Sequence, residues 1–244
     1  MHDRQPASNI KQSLNSMPEN DFQSLYRLSS YNYPLPEELI AQQPASQRDE
    51  SRLLVLDAVQ GKTKHSQFNS ITALFKPGDL LVVNNTKVFP ARLLGKKETG
   101  GKVEMLLLHF PEAGKEQGQA SVLTLIKSSK RPQLGSILLF APDLQARVDS
   151  LLDNGKVEVT LLFPPAENLE EVLNQYGQIP LPPYIKRPKG STALDFQRYQ
   201  TKYARYIGSV AAPTAGLHFS QTLMKQIKKI GVKQVAVTLH VGYG

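Results

Sequence analysis

Residues 91–163 read ARLLGKKETGGKVEMLLLHFPEAGKEQGQASVLTLIKSSKRPQLGSILLFAPDLQARVDSLLDNGKVEVTLLF. Six short apolar runs, ARLLGKK, KVEMLLLHF, SVLTLIK, SILLF, QARVDSLL and KVEVTLLF, are separated by turn residues at Gly100-Gly101, Gly135 and Asp153-Asn154-Gly155. Strands and turns at such regular spacing predict an antiparallel barrel. On both sides the pattern changes. Upstream, PEELIAQ (36–42) predicts a short helix, LLVLD (53–57) a buried strand and DLLVVNN (79–85) a second strand. Downstream, LEEVLNQYG (169–177) and LDFQRYQTKYARY (194–206) predict helices. A helix follows over 221–231, capped by Ser220, with Leu223, Met224, Ile227 and Ile230 on one face and Gly231 at its end. VKQVAVTLHV (232–241) reads as a buried strand. The barrel is therefore expected to interrupt an α/β chain.

The run GSVAAPTAGLHF (208–219) has the character of a ligand loop, because small residues let a backbone approach a substrate closely. Its polar side chains are Ser209, Thr214 and His218, and the capped helix after it is expected to turn free N–H groups toward a polar ligand.

Hydrophobic residues make up 40% of the 244 and charged residues 20%, as in an ordinary soluble globular protein. Zero cysteines exclude disulfides, thiolate zinc sites and cysteine nucleophiles. No run approaches the ~20 apolar residues that span a bilayer, and the N-terminus has no apolar signal segment. A cytoplasmic location is expected. The net charge of +8 is local: between Lys186 and Lys233 ten Lys or Arg face one acid, Asp195. Such a window suits an RNA backbone or a pair of solvated helix faces, and Tyr184, Tyr199, Tyr203 and Tyr206, interleaved with the cations, could stack on unpaired bases.

G-x-G-x-x-G, Walker A, G-x-S-x-G and H-E-x-x-H patterns are all missing, which removes the usual signatures of Rossmann, P-loop, hydrolase and zincin enzymes. The histidines are 2, 65, 109, 218 and 240, and no two have the i, i+4 spacing of a helical metal site. His218 and His240 are the candidates for proton transfer, against satisfied structural histidines as the alternative. Asn84, Asn85, Thr86 and Lys87 follow an apolar strand, where an α/β domain places ligands or simply turns. Arg48, Asp49 and Arg52 fit a surface ion pair or a substrate clamp equally.

Taken with NNTKVFPARLLG (84–95), GGKVEMLLL (100–108), PLPPYIKR (180–187), RYQTKYA (198–204) and TLHVG (238–242), the small-residue run resembles the S-adenosylmethionine:tRNA ribosyltransferase-isomerase family of queuosine biosynthesis. The likeness begins near YNYPLPEELIAQ (31–42), includes RDESRLLVLD (48–57) and continues to Gly244. It implies a three-layer α/β domain over 31–90 and 164–244, interrupted by a small antiparallel β-barrel over 91–163. Residues 1–30 are then an extension expected to be disordered, and part of the family's C-terminal catalytic region is expected to lie beyond Gly244.

The resemblance also implies an activity: transfer and isomerisation of the ribosyl part of S-adenosylmethionine onto 7-aminomethyl-7-deazaguanine at the tRNA wobble position, giving epoxyqueuosine, adenine and methionine. The implied partners are that tRNA and S-adenosylmethionine, with no membrane, no metal and no further cofactor, and the chain is expected to be a monomer. His218 or His240 would serve as the base. Asn84, Asn85, Thr86, Lys87, Arg92, Tyr184, Arg187, Tyr199, Ser209, Thr214 and Gly216 would meet the substrates, and Lys186, Lys202, Arg205 and Lys228 the tRNA. The rivals are a truncated tRNA-binding remnant without turnover and a histidine-based metallohydrolase.

Overall fold

The computed structural model describes residues 23–242, which fall into two compact units dividing between Ala41 and Gln42. The expectation for residues 1–30 lies outside the described residues up to position 22. In the first unit a 3₁₀ turn spans Leu28–Tyr31, and PEELIAQ forms only a three-residue 3₁₀ helix, Glu37–Leu39.

The second unit is mixed α/β with a closed six-stranded barrel. Strands β1 (Arg52–Asp57) and β2 (Lys62–Gln67) form an antiparallel ribbon, followed by β3 (Leu80–Asn84) and β4 (Thr86–Val88). The barrel strands are β5 (Arg92–Lys97), β6 (Lys102–Leu107), the short β7 (Glu112–Ala113) against its side, β8 (Gln119–Ser128), β9 (Ile137–Ala141), β10 (Leu144–Leu151) and β11 (Lys156–Leu162). Their order is β11-β10-β9-β5-β6-β8, and β8 pairs with β11 to close the ring. Helices α1 (Leu169–Tyr176) and α2 (Ala193–Arg198), strand β12 (Tyr206–Ser209), helix α3 (Gln221–Lys229) and strand β13 (Lys233–Val237) complete it.

The barrel closes because period-2 alternation puts Val103, Met105 and Leu107, Val122, Ala146 and Val148, and Val157, Val159 and Leu161 inside one core with Leu93 and Leu138. The buried hydroxyl of Thr124 donates to the Val157 carbonyl at 2.8 Å, so the core carries it without an unpaired group. At Gly95 a side chain would run into the Leu139 carbonyl, so a bare backbone is what lets β5 and β9 meet. The Asp153-Asn154-Gly155 turn takes positive φ at Asn154 and Gly155, as its residues predict.

Outside the barrel the strands pair in twos: β13 runs parallel to β3, and β12 parallel to β4. Three expectations need correction. LLVLD is a strand but not a buried one, because a two-stranded ribbon is covered on one face only and Leu54 and Leu56 point outward. Within VKQVAVTLHV, strand β13 (Lys233–Val237) has each of its residues exposed and pairs among the described residues only with β3, while Val232 just before it is buried. The helix expected over 194–206 stops at Arg198. There the Gln200 amide bonds both backbone groups of Val88, accepting at 3.1 Å and donating at 3.0 Å, and the chain then runs extended into β12. Helix α3 forms as its pattern predicts: the Ser220 hydroxyl caps Leu223 N–H, and Leu223 and Ile227 bury against Phe68, Phe219 and Val232.

Candidate functional site

Between the outer barrel wall and the proline-rich segment after α1 lies a cavity of about 860 Å³. Arg92, Glu104, Leu106 and Lys127 form the barrel side. Ile179–Pro183, Ile185–Pro188 and Tyr199 form the other, with Val210, Ala211 and Gly242 along one edge. Prolines at 180, 182, 183 and 188 stiffen this wall. It is fastened to the barrel by reciprocal backbone bonds between Arg92 and Gln178, at 3.1 and 2.8 Å.

The wall is also pinned by a buried ion pair. Arg187 meets both Asp195 carboxylate oxygens at 2.8 Å and donates to the carbonyls of Gln42 and Lys186. Burial pushes the Asp195 carboxyl up, but the Arg187 bond and the N–H and hydroxyl of Thr192 outweigh it and hold the pKa below the usual range. Arg187 is thereby fixed as a strut beside the cavity. Tyr199 is buried with Val88, Ile179 and Ala212, whereas Tyr184 is exposed. On the barrel side Arg92 Nε lies 2.7 Å from Glu104 Oε1. That hydrogen bond, acting against burial and helped by the charges of Arg92 and Lys127, lowers the Glu104 pKa.

Next to the cavity edge, the small-residue run clasps the chain after β13. Val210 N–H donates to the Val241 carbonyl at 3.0 Å, and the wholly buried Ser209 hydroxyl bonds Val241 N–H and the carbonyls of Ala211 and Val241. His240 lies over Gly208, where a Cβ would meet its ring atoms at 2.6–2.8 Å. Its Nδ1 is 2.8 Å from the hydroxyl of Thr86, which has no exposed surface, while the histidine itself is open to solvent. At Gly208 the bare backbone thus admits a histidine ring of the same chain.

The second histidine sits elsewhere. His218 ends a 3₁₀ turn, packs 5.2 Å from the Phe68 ring and holds the Ser51 hydroxyl at 3.0 Å through Nδ1. Burial lowers its pKa; the charges of Arg48 and Arg198 add to this, against a bond to the Arg48 backbone. Beside it Arg48 is buried, its guanidinium donating to the carbonyls of Leu217 and Gln197, and Asp49 accepts the Ser220 hydroxyl at 2.6 Å. Arg48 is therefore neither a surface pair nor an open clamp. A carboxylate already stands at the start of α3, where free N–H groups were expected to face a ligand. Gly216 packs against the Tyr203 hydroxyl and the Thr201 methyl, and Thr214 is exposed.

The remaining candidates scatter. The Asn84 amide bonds Leu239 through both its atoms, and Asn85 accepts the Thr238 hydroxyl, so the two asparagines tie the segment after β13 to the end of β3. Lys87 pairs with Glu170 at 2.7 Å. Lys186, Lys202, Arg205 and Lys228 are exposed, and the Arg205 guanidinium lies 5.1 Å above the Tyr206 ring. Sequence reading missed Glu104 and Lys127, which look like ordinary outward polar positions of barrel strands, and Gln178 and Gln200, whose roles depend on long-range backbone partners. Among the described residues no three His, Cys, Asp or Glu gather as a metal site, and no helix is long and apolar enough to cross a membrane.

The profile of a family described as queuosine biosynthesis protein matches residues 28–244. A protein of Desulfotalea psychrophila named S-adenosylmethionine:tRNA ribosyltransferase-isomerase is 50% identical over 215 residues, 88% of this chain and 60% of that one. One of the same name from Geotalea uraniireducens is 47% identical over 219 residues, 89% of this chain and 61% of that one. A solved S-adenosylmethionine tRNA ribosyltransferase from Thermotoga maritima is 29% identical across 86% of this chain and 58% of its own, with a TM-score of 0.34. The chain spans about three fifths of the length of the curated relatives it matches. With its profile match running from residue 28 to residue 244, the chain belongs to the queuosine biosynthesis protein family.

Proposed function

We propose that this chain performs S-adenosylmethionine:tRNA ribosyltransferase-isomerase chemistry: the ribosyl group of S-adenosylmethionine passes to 7-aminomethyl-7-deazaguanine at the tRNA wobble position and rearranges to epoxyqueuosine, releasing adenine and methionine. The observation that carries this reading is the 50% identity over 215 residues to a relative of that name. In the same reading residues 91–163 are a barrel domain inserted into a three-layer α/β domain formed by 31–90 and 164–244. The chain would work in the cytoplasm.

The sulfonium of S-adenosylmethionine acidifies the adjacent C5′ hydrogens, so the reaction needs a base close to that carbon. His240 suits the task better than His218. With its proton on Nδ1, shared with the buried Thr86 hydroxyl, His240 keeps an Nε2 lone pair for a substrate proton, and its neighbours Val210, Ala211 and Gly242 edge the cavity. Thr86 acts through His240 as a positioning residue. His218 is committed to Ser51 and Phe68. The exposed Lys186, Lys202, Arg205 and Lys228 would meet tRNA phosphates, with Tyr184 and Tyr206 as stacking faces.

The test is adenine release from S-adenosylmethionine in the presence of precursor tRNA. Release that depends on the tRNA supports the reading. Salt-sensitive tRNA binding without adenine release would instead describe a tRNA-binding chain that does not turn over.

A further inference from the structure

Three charged side chains form a row across three adjacent barrel strands. Glu104 of β6 stands directly opposite Lys127 of β8, where side chains on one face lie about 5 Å apart at Cβ. Arg92 of β5 is in register with Leu106, two positions along β6 from Glu104, and reaches diagonally to the Glu104 carboxylate at 2.7 Å. The order along the wall is cation, carboxylate, cation, and all three residues line the 860 Å³ cavity. Arg92 is oriented by its backbone bridge to Gln178 and by a 3.4 Å bond from Nη1 to the Gln178 side chain. Among the described residues the Lys127 ammonium has no hydrogen-bond or salt-bridge partner, although its charge bears on Glu104.

The sign pattern selects the ligand. A phosphate would be met by the Glu104 carboxylate between its two cations, and a simple ammonium or sulfonium would be met by two like charges. A carboxylate and an ammonium on the same carbon match the row. Part of the facing wall, Ile179, Pro180, Leu181 and Pro182, is apolar and suits the two methylenes that join an amino-acid head to the sulfonium. We infer that this row is the subsite for the zwitterionic methionyl end of S-adenosylmethionine, its carboxylate on Lys127 and Arg92 and its ammonium on Glu104. The assignment rests on the reading of S-adenosylmethionine as co-substrate.

The test measures binding of S-adenosylmethionine and of decarboxylated S-adenosylmethionine, which keeps the ammonium, sulfonium and adenosine, to the full chain and to two variants whose melting is checked in parallel. Lys127→Met should weaken S-adenosylmethionine about tenfold and leave the decarboxylated ligand within about twofold. Glu104→Gln, which still offers Arg92 an acceptor, should weaken both ligands about tenfold, because both carry the ammonium. If the parent binds both ligands equally and neither variant changes either affinity, the subsite is overturned while the co-substrate reading stands. A parent that binds neither ligand removes the co-substrate reading and the subsite together.

Discussion

The barrel and the chain around it solve the same problem in opposite ways. In the barrel, neighbouring strands are mostly close in sequence, and the ring closes through the β8–β11 pairing, so every edge is used and one apolar core fills the inside. Outside it, β3 waits for β13 and β4 for β12, more than a hundred residues away, and these pairs are two strands wide. Polar side chains hold them: Asn84 and Asn85 grip the segment after β13, Gln200 grips Val88, and the Arg187–Asp195 pair fixes the proline wall. Apolar packing holds the first region, and specific hydrogen bonds do much of the same work in the second.

Truncation to alanine should therefore cost far more in the barrel than on β13. Leu93→Ala, at a position with no exposed surface, should cost about 2–5 kcal/mol in urea denaturation. Val235→Ala on the exposed β13 should stay within about 0.5 kcal/mol. Similar losses at both sites would show that β13 is buried in solution and erase the distinction.

Polar fastening predicts the next largest effect. Asp195→Asn leaves the Arg187 guanidinium largely buried without its carboxylate and should cost about 3 kcal/mol, with the proline wall loosening first. Faster amide exchange confined to residues near 180–190 would sharpen the comparison. No change in either stability or exchange would mean that the wall is held by its prolines alone.

These regions also differ in how far the sequence disclosed them. All six barrel strands follow from apolar alternation and turn residues, since each element there is specified by its own few residues and its next neighbour. The flanks were harder. LDFQRYQTKYARY has helical spacing throughout, yet the Gln200 bonds to Val88 end the helix at Arg198, and a distant backbone partner leaves no local trace. The site was legible in the same uneven way. In the small-residue run it is Gly208 that lies against the His240 ring, and the two asparagines bond the segment after β13. Glu104 and Lys127 gave no signal, because a charged outward position on a barrel strand looks the same whether it faces water or a cavity wall.

The smallest expected effect concerns pH. Burial lowers the His218 pKa, so the unfolded chain takes up this proton more readily than the folded one. The stability that comes with the neutral ring is complete above the ordinary histidine range, near pH ~6.5, and is lost as pH falls through it toward the lowered folded value. Melting temperature should therefore drop between pH 7 and pH 5.5, and His218→Gln should flatten that slope. An unchanged slope would place the titration elsewhere.

Single-turnover adenine release with precursor tRNA measures directly which histidine touches the reaction. His240→Gln should slow release by about a hundredfold or more while S-adenosylmethionine still binds, and His218→Gln, at a temperature where it stays folded, should stay within about threefold of the parent. A collapse of release in His218→Gln beside an unimpaired His240→Gln would contradict the account.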